Sequence, residues 1–239
     1  MPAASNCYDA HERRFPNAGA LMEALAADIV ASLQGGLAGG RGASLVVPGG
    51  HTPAPLFDRL SEATLDWSSV WVTLTDERWV ETQSSASNER LVREHLLRNA
   101  AASANFVGLK NALPDPHTAA GESWSAVAEL PRPFDCVLLG MGDDGHVASL
   151  FPDSPGLAAA MDPGAPPGCV GMTAPAPPRA RLSLNLRALL DSRRIGILIV
   201  GQAKWATYER ARARGPAVDM PVRALLAQQN VPLTVYWSP

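Results

Sequence analysis

Residues 135–152 read Asp-Cys-Val-Leu-Leu-Gly-Met-Gly-Asp-Asp-Gly-His-Val-Ala-Ser-Leu-Phe-Pro. Val137, Leu138 and Leu139 form a continuous apolar run, the pattern of a parallel strand buried on both faces. Gly140 marks where the chain leaves the sheet, and Gly142 and Gly145 give the turn that follows access to positive φ or to a close backbone approach. Ligands of open α/β sheets bind beyond the carboxyl ends of the strands. An acid, Asp144, and an imidazole, His146, two residues apart at such an end therefore stand at a crevice and not on a solvated helix.

Outward from this stretch, short β-branched or apolar runs recur at 44–47, 70–74, 105–107, 134–141, 181–186, 195–200 and 233–236. Helical stretches near 53–63, 87–100, 117–129, 202–214 and 220–229 alternate with them. A first helix is expected over 18–33, where Ala18, Leu21, Met22, Leu25, Ala26, Ile29 and Leu33 keep helical spacing and Gly35-Gly36 closes the segment. Alternation of this kind predicts an α/β fold of βαβ units around a mostly parallel sheet. Residues 161–179 carry six prolines and read as an extended excursion, because strand patterns resume directly afterwards. No internal repeat is visible, and a single α/β domain over 1–239 is expected.

The formal charge is −3, with 20 basic and 23 acidic residues spread along the chain. That leaves no basic stripe for nucleic acid and no polybasic membrane patch, so the expected partner is a small molecule. Cys7, Cys136 and Cys169 are odd in number and widely spaced, which argues against a disulfide framework or a zinc site and fits a reduced cytoplasm. His11-Glu12-Arg13-Arg14 precedes any apolar run, and no uninterrupted apolar segment approaches about 18 residues, so neither a signal peptide nor a membrane span is expected.

Four further stretches carry polar groups to strand ends. In Val46-Val47-Pro48-Gly49-Gly50-His51-Thr52-Pro53 a strand meets a glycine turn and then a helix start. Backbone N–H groups there suit a phosphate, Gly49 and Gly50 remove obstructing side chains, and Thr52 either caps the helix or bonds an anion; an ordinary tight turn would read the same way. Asp76-Glu77-Arg78 follows the apolar Trp71–Leu74 run. Arg78 has the planar fork that grips phosphate or carboxylate, and Asp76 or Glu77 could orient that fork or a sugar hydroxyl. A surface ion pair is the alternative.

Asn88 begins a helix as either a cap or a substrate-facing amide; His95 reads as an ordinary helix residue, and Asp143 as a solvated loop residue. Lys204, one of only two lysines, stands in the first turn of a helix after Gly201, where a positive charge opposes the helix dipole and a phosphate would explain it. Arg181 opens an alternating run and could reach the same anion or simply flank a strand. His146 has an imidazole of near-neutral ordinary pKa and can take a proton from water, with Asp144 to orient it.

Taken together, Gly-Gly-His-Thr-Pro at 49–53, Asp-Glu-Arg at 76–78, Ser-Asn at 87–88, the 139–152 block and Gly-Gln-Ala-Lys at 201–204 resemble the 6-phosphogluconolactonase family. The resemblance implies a three-layer α/β/α sandwich around a mostly parallel twisted sheet, a fold shared with glucosamine-6-phosphate deaminases. It also implies hydrolysis of 6-phospho-D-glucono-1,5-lactone in the oxidative pentose phosphate pathway, with no metal and no cofactor. On that reading His146, Asp144 and Arg78 carry the chemistry, and Gly49, Gly50, His51, Thr52, Asp76, Asn88, Gly145, Arg181 and Lys204 hold the substrate. Two departures stand out. His51 replaces the family's more usual serine, and Val147 replaces a threonine beside the catalytic histidine. Deaminases of the same fold resemble Gly-His-Ile-Ala-Phe-Asn-Glu-Pro after the turn, whereas Ala148–Pro152 carries no carboxylate and Arg78 stands where they have tyrosine. A sugar-phosphate-binding protein without catalysis is a second alternative, against which the intact His146 and Arg78 argue.

Overall fold

The computed structural model describes Cys7, Tyr8 and residues 10–239. In chain order the elements are β1 (His11–Arg14), α1 (Ala18–Ala38), β2 (Ala43–Val47), α2 (Ala54–Ser61), β3 (Val70–Leu74), β4 (Asp76–Arg78), α3 (Asn88–His95), β5 (Asn105–Val107), α4 (Pro116–Ala128), β6 (Cys136–Gly140), α5 (Leu157–Ala160), β7 (Cys169–Thr173), β8 (Ala180–Leu184), α6 (Leu186–Leu190), β9 (Ile195–Val200), α7 (Gln202–Arg212), α8 (Val222–Ala227) and β10 (Leu233–Ser238). Seven strands form one sheet in the order β1-β10-β9-β6-β2-β3-β5, every neighbouring pair parallel.

The continuous apolar runs explain the middle of this sheet. Every residue of β2 is buried, as are the first four of β6 and the first five of β9, so both faces of these strands are covered. From β2 the chain winds outward through β3 and β5; from β6 it winds the other way through β9 and β10. With right-handed crossovers that reversal puts helices on both faces, the three layers that the resemblance implies. It also makes the β2–β6 seam, paired through Leu45↔Cys136 and Val46↔Val137, the topological switch point.

Several boundaries differ from expectation. Helix α1 runs through Gly35-Gly36 to Ala38. Gly36 serves packing: a Cβ there would come within 2.7 Å of the Asp135 carboxylate. The helix stops where the Gly39 N–H bonds the Gly36 carbonyl at 3.1 Å. Helix α1 is also long and apolar enough to cross a membrane by length and composition. Here its Leu21, Leu25, Ile29 and Leu33 are buried, and it packs on β2, β6 and β10.

The 181–186 run does not join the main sheet. It forms β8, the centre of a separate antiparallel sheet β4-β8-β7, and alternating Leu182 and Leu184 is the pattern such a strand carries. The proline-rich excursion supplies β7 to the same sheet, and the charged Asp76–Arg78 supplies β4. The helix expected over 87–100 ends at His95 and is followed by a 3-10 turn at Asn99–Ser103. His11–Arg14 forms an edge strand that polarity concealed. Cys136 and Cys169 are buried thiols, each pushed up to about 12 by burial.

Candidate active site

A cleft of about 480 Å³ opens at the carboxyl ends of β2 and β6, the switch point. Its walls are the Pro48–Pro53 turn after β2, the Gly140–Asp143 segment with His146, Ala148 and Phe151 after β6, Asp76, Arg78 and Arg181 from the small sheet, Asn88 from α3, and Leu198 and Lys204 from the β9–α7 corner.

The turn after β6 is closed by short-range bonds. Val147 bridges both Met141 and Leu150, the Gly142 N–H bonds the His146 carbonyl at 2.9 Å, and the Gly145 N–H bonds the Gly142 carbonyl at 3.0 Å. Asp144 Oδ1 accepts from the His146 backbone N–H at 3.0 Å and lies 2.6 Å from His146 Nδ1. Burial opposes ionisation of Asp144, but the His146 side-chain and backbone hydrogen bonds outweigh it and hold the carboxyl below its ordinary value. With Nδ1 so engaged, Nε2 keeps its lone pair for the cleft. Gly142 is required by contact: a Cβ would sit 2.1 Å from His146 Nδ1. Asp144 does not itself line the cleft and meets it only through its contact with His146. Nor does Gly145, which the resemblance places among the substrate contacts, stand in the cleft lining. It takes φ +83° to make the turn, its vacant Cβ position is closed off by Met220, and its carbonyl receives the Val222 N–H at 2.9 Å.

Three cations reach the cleft, each tethered to a neutral carbonyl. Arg78 Nη1 donates to Ala86 at 2.5 Å, Arg181 Nε to Pro178 at 2.9 Å, and Lys204 Nζ to Met141 at 3.0 Å. Among the described residues none of the three closes an ion pair. Arg78 and Arg181 are direct partners across the β4–β8 pair. Burial, and then the neighbouring Arg78 charge, lower the Arg181 pKa, so an anion brought to this pair relieves a repulsion already present.

Of the two roles the sequence offers Asp76 and Glu77, neither orients the Arg78 fork, which bonds the Ala86 carbonyl. Buried Glu77 instead accepts from Ser87 Oγ and from the backbone N–H groups of Arg78, Asn88 and Glu89, which locks the start of α3 to β4. Burial keeps its carboxyl above the ordinary value despite those donors. Asp76 accepts from Thr75 Oγ1 at 3.0 Å and Ser149 Oγ at 2.5 Å while lining the cleft. The cap of α3 is Ser87, not Asn88. Asn88, only 1% exposed, donates to the Asp76 carbonyl at 2.8 Å and has a buried Oδ1 with no partner. Gly49 packs against that carboxamide so closely that a Cβ would fall 1.8 Å from Oδ1.

In the first turn, Gly50 takes φ +87°, His51 is exposed at the rim and Thr52 lines the wall. Thr52 does not cap α2, whose start is preceded by Pro53 with no side-chain cap bond. Asp143 is exposed, as its loop position suggests, yet it also lines the cleft, and its carbonyl anchors Thr207 at 3.2 Å. His95 sits outside the cleft on Asp58 at 2.9 Å. Sequence reasoning missed Phe151 as a site residue and Ser149 as the buried hydroxyl that holds Asp76. A buried hydroxyl in an otherwise apolar Leu-Phe-Pro context was the available signal for Ser149.

A doubly wound sheet with a cationic cleft and an Asp–His pair at its switch point defines an α/β enzyme for a small anionic substrate. The sequence matches the model of the glucosamine-6-phosphate isomerase/6-phosphogluconolactonase family over residues 16–237. It is 46% identical over 216 residues to the 6-phosphogluconolactonase of Pseudomonas aeruginosa, covering 90% of this chain and 89% of that protein. It is 42% identical over 225 residues to that of Rhizobium meliloti, covering 94% and 97%. The crystal structure of a 6-phosphogluconolactonase from Shewanella baltica superposes with a TM-score of 0.93 at 43% identity, over 97% of this chain and 98% of that one. The chain belongs to the glucosamine-6-phosphate isomerase/6-phosphogluconolactonase family, on its 6-phosphogluconolactonase side.

Proposed function

We propose that this chain, working as a single domain in the cytoplasm, hydrolyses 6-phospho-D-glucono-1,5-lactone to 6-phospho-D-gluconate, a step of the oxidative pentose phosphate pathway. The observation that carries the reading is the trio of carbonyl-tethered cations facing His146 across one cleft. Each tether fixes a charge without neutralising it, so the counter-charge has to come from the substrate. The phosphate lies against Lys204, the 49–52 turn and Arg181. Asp76, Asn88 and His51 then line the path of the sugar hydroxyls.

His146 Nε2 takes a proton from a water, and the hydroxide so formed bonds to the lactone carbonyl carbon. Negative charge moves to the carbonyl oxygen, where Arg78 and backbone N–H groups of the glycine turns stabilise it. As the oxyanion collapses, the bond from that carbon to the ring oxygen breaks, and the imidazolium returns its proton to the departing oxygen. Asp144 supports the imidazolium meanwhile. Charge stabilisation in this scheme falls to arginine and lysine, so it requires neither metal nor cofactor.

The test is to supply freshly generated lactone and follow its loss against the spontaneous background, with glucosamine 6-phosphate in parallel. His146→Ala is expected to lower the enzymatic rate by about 10²–10⁴-fold while 6-phosphogluconate still binds. Full activity in that variant overturns the assignment of the base. Ammonia release from the amino sugar without faster lactone loss overturns the reaction itself.

A further inference from the structure

Phe151 stands between the two halves of the site. Its ring centroid is 4.4 Å from that of the His146 imidazole, with the planes tilted by 49°, and the Arg181 guanidinium lies 5.8 Å from the same centroid. The side chain is almost fully buried yet lines the cleft. One ring therefore touches both a proton-transfer group and an anion-holding group.

The backbone that delivers this ring is strained and over-determined. Ala148 at φ +51° and Asp153 at φ +60° bracket the segment. In that left-handed region the Cβ of a non-glycine residue crowds the following carbonyl oxygen. Ser149, between them, is pinned through its Oγ to Asp76 at 2.5 Å and through its N–H to Ser183 Oγ at 3.2 Å, and the Leu150 N–H bonds the Val147 carbonyl at 3.0 Å. Strain of this kind persists where surrounding contacts enforce it and concentrates where placement matters. A residue that merely filled space would not need it.

The chemistry of the two neighbours gives the placement a purpose. An aromatic face attracts cations. Arg181 is charged throughout, whereas His146 becomes a cation only after taking the proton. Asp144 holds the imidazole at Nδ1, Gly142 lies against the ring, and the Phe151 face meets it at a tilt of 49°. We infer that Phe151 is a positioning residue: its ring sets the tilt of the His146 imidazole and ties it to Arg181, so that seating an anion and orienting the base are one event. This rests on the reading of His146 as the base.

The experiment compares Phe151→Leu and Phe151→Trp with wild type in three measurements: kcat and KM for the lactone, the His146 ring-proton resonance without ligand, and Tm. Phe151→Leu is expected to lower kcat about tenfold and raise KM severalfold, since a misplaced catalytic group costs rate steeply. It is also expected to move the His146 resonance through loss of the ring current. Phe151→Trp restores kcat to within about threefold, because an aromatic face is back in place. In a cycle with Arg181→Met, the double variant loses less kcat/KM than the product of the single losses. Where the leucine variant does not fold, Phe151→Met takes its place, a flexible side chain of adaptable shape. A leucine or methionine variant with lowered Tm but wild-type kcat, an unmoved His146 resonance, or a fully multiplicative cycle overturns the inference. The resonance decides the placement even if wild type fails to hydrolyse the lactone, which keeps the two failures apart.

Discussion

At the carboxyl end of the main sheet, Arg78, Arg181 and Lys204 are each tethered to a backbone carbonyl; at the amino end, Arg41 and Arg193 close on the Asp135 carboxylate. A cavity of about 630 Å³ lies beside Asp135, larger than the cleft of about 480 Å³ at the opposite end. Volume alone does not single out the cleft. Charge that is already matched by an acid knits β2, β6 and β9 together, whereas charge held in place without a counter-ion is available to a ligand.

The contrast can be broken most severely at Gly142. Gly142→Ala puts a Cβ where the His146 ring lies, so we expect activity to fall on the order of 10²-fold, as displacement of a catalytic group by about 1 Å does. Steady-state assay checks it, and near-wild-type kcat would mean that the imidazole has room to yield. The next largest effect sets the two ends against each other. Arg181→Met is expected to raise KM about tenfold while leaving Tm unchanged or higher, because it relieves repulsion with Arg78. Arg41→Met is expected to leave KM unchanged and cost about 1–3 kcal/mol, the penalty of a buried acceptor deprived of its donor. Urea unfolding and substrate titration of both variants decide this; a shared pattern would erase the distinction between the ends.

The smallest effect concerns pH. The folded pKa of Asp144 lies below its ordinary value, so its contribution to stability is full above the unfolded carboxylate pKa of about 3.9 and is lost as pH falls through the folded value. The Tm advantage of wild type over Asp144→Asn is expected to shrink from pH 5 downward. An advantage that grew on acidification would reverse the sign of the shift.

The switch point was legible because Val46-Val47, Val137–Leu139 and Ile197–Val200 are continuous apolar runs, each meeting glycine within a few residues. That pattern has few alternatives. The small sheet was not legible. Asp76-Glu77-Arg78 has no strand preference of its own and becomes β4 because β8 pairs with it. Gly35-Gly36 looked like a helix end because intrinsic propensity is local, while the reason for Gly36 is Asp135, 99 positions away. Within the site, residue types pointed to His146, Arg78 and Lys204. The tethers to the Ala86, Pro178 and Met141 carbonyls had no signature, since every residue has a carbonyl. Gly145 was placed among substrate contacts by its neighbours in the motif, and Met220, which covers it, lies 75 positions further on.

Strand β1 has one ladder partner among the described strands, and it is β10, the last; helix α1, next in order, packs on β2, β6 and that same β10. Helix α1 therefore lacks one of its strand neighbours until the last strand has been made. Helix α1 has to wait, partly naked, for nearly 200 residues of synthesis before its final neighbour exists. Early chains of this protein consequently present a greasy helix to whatever holdase meets them first.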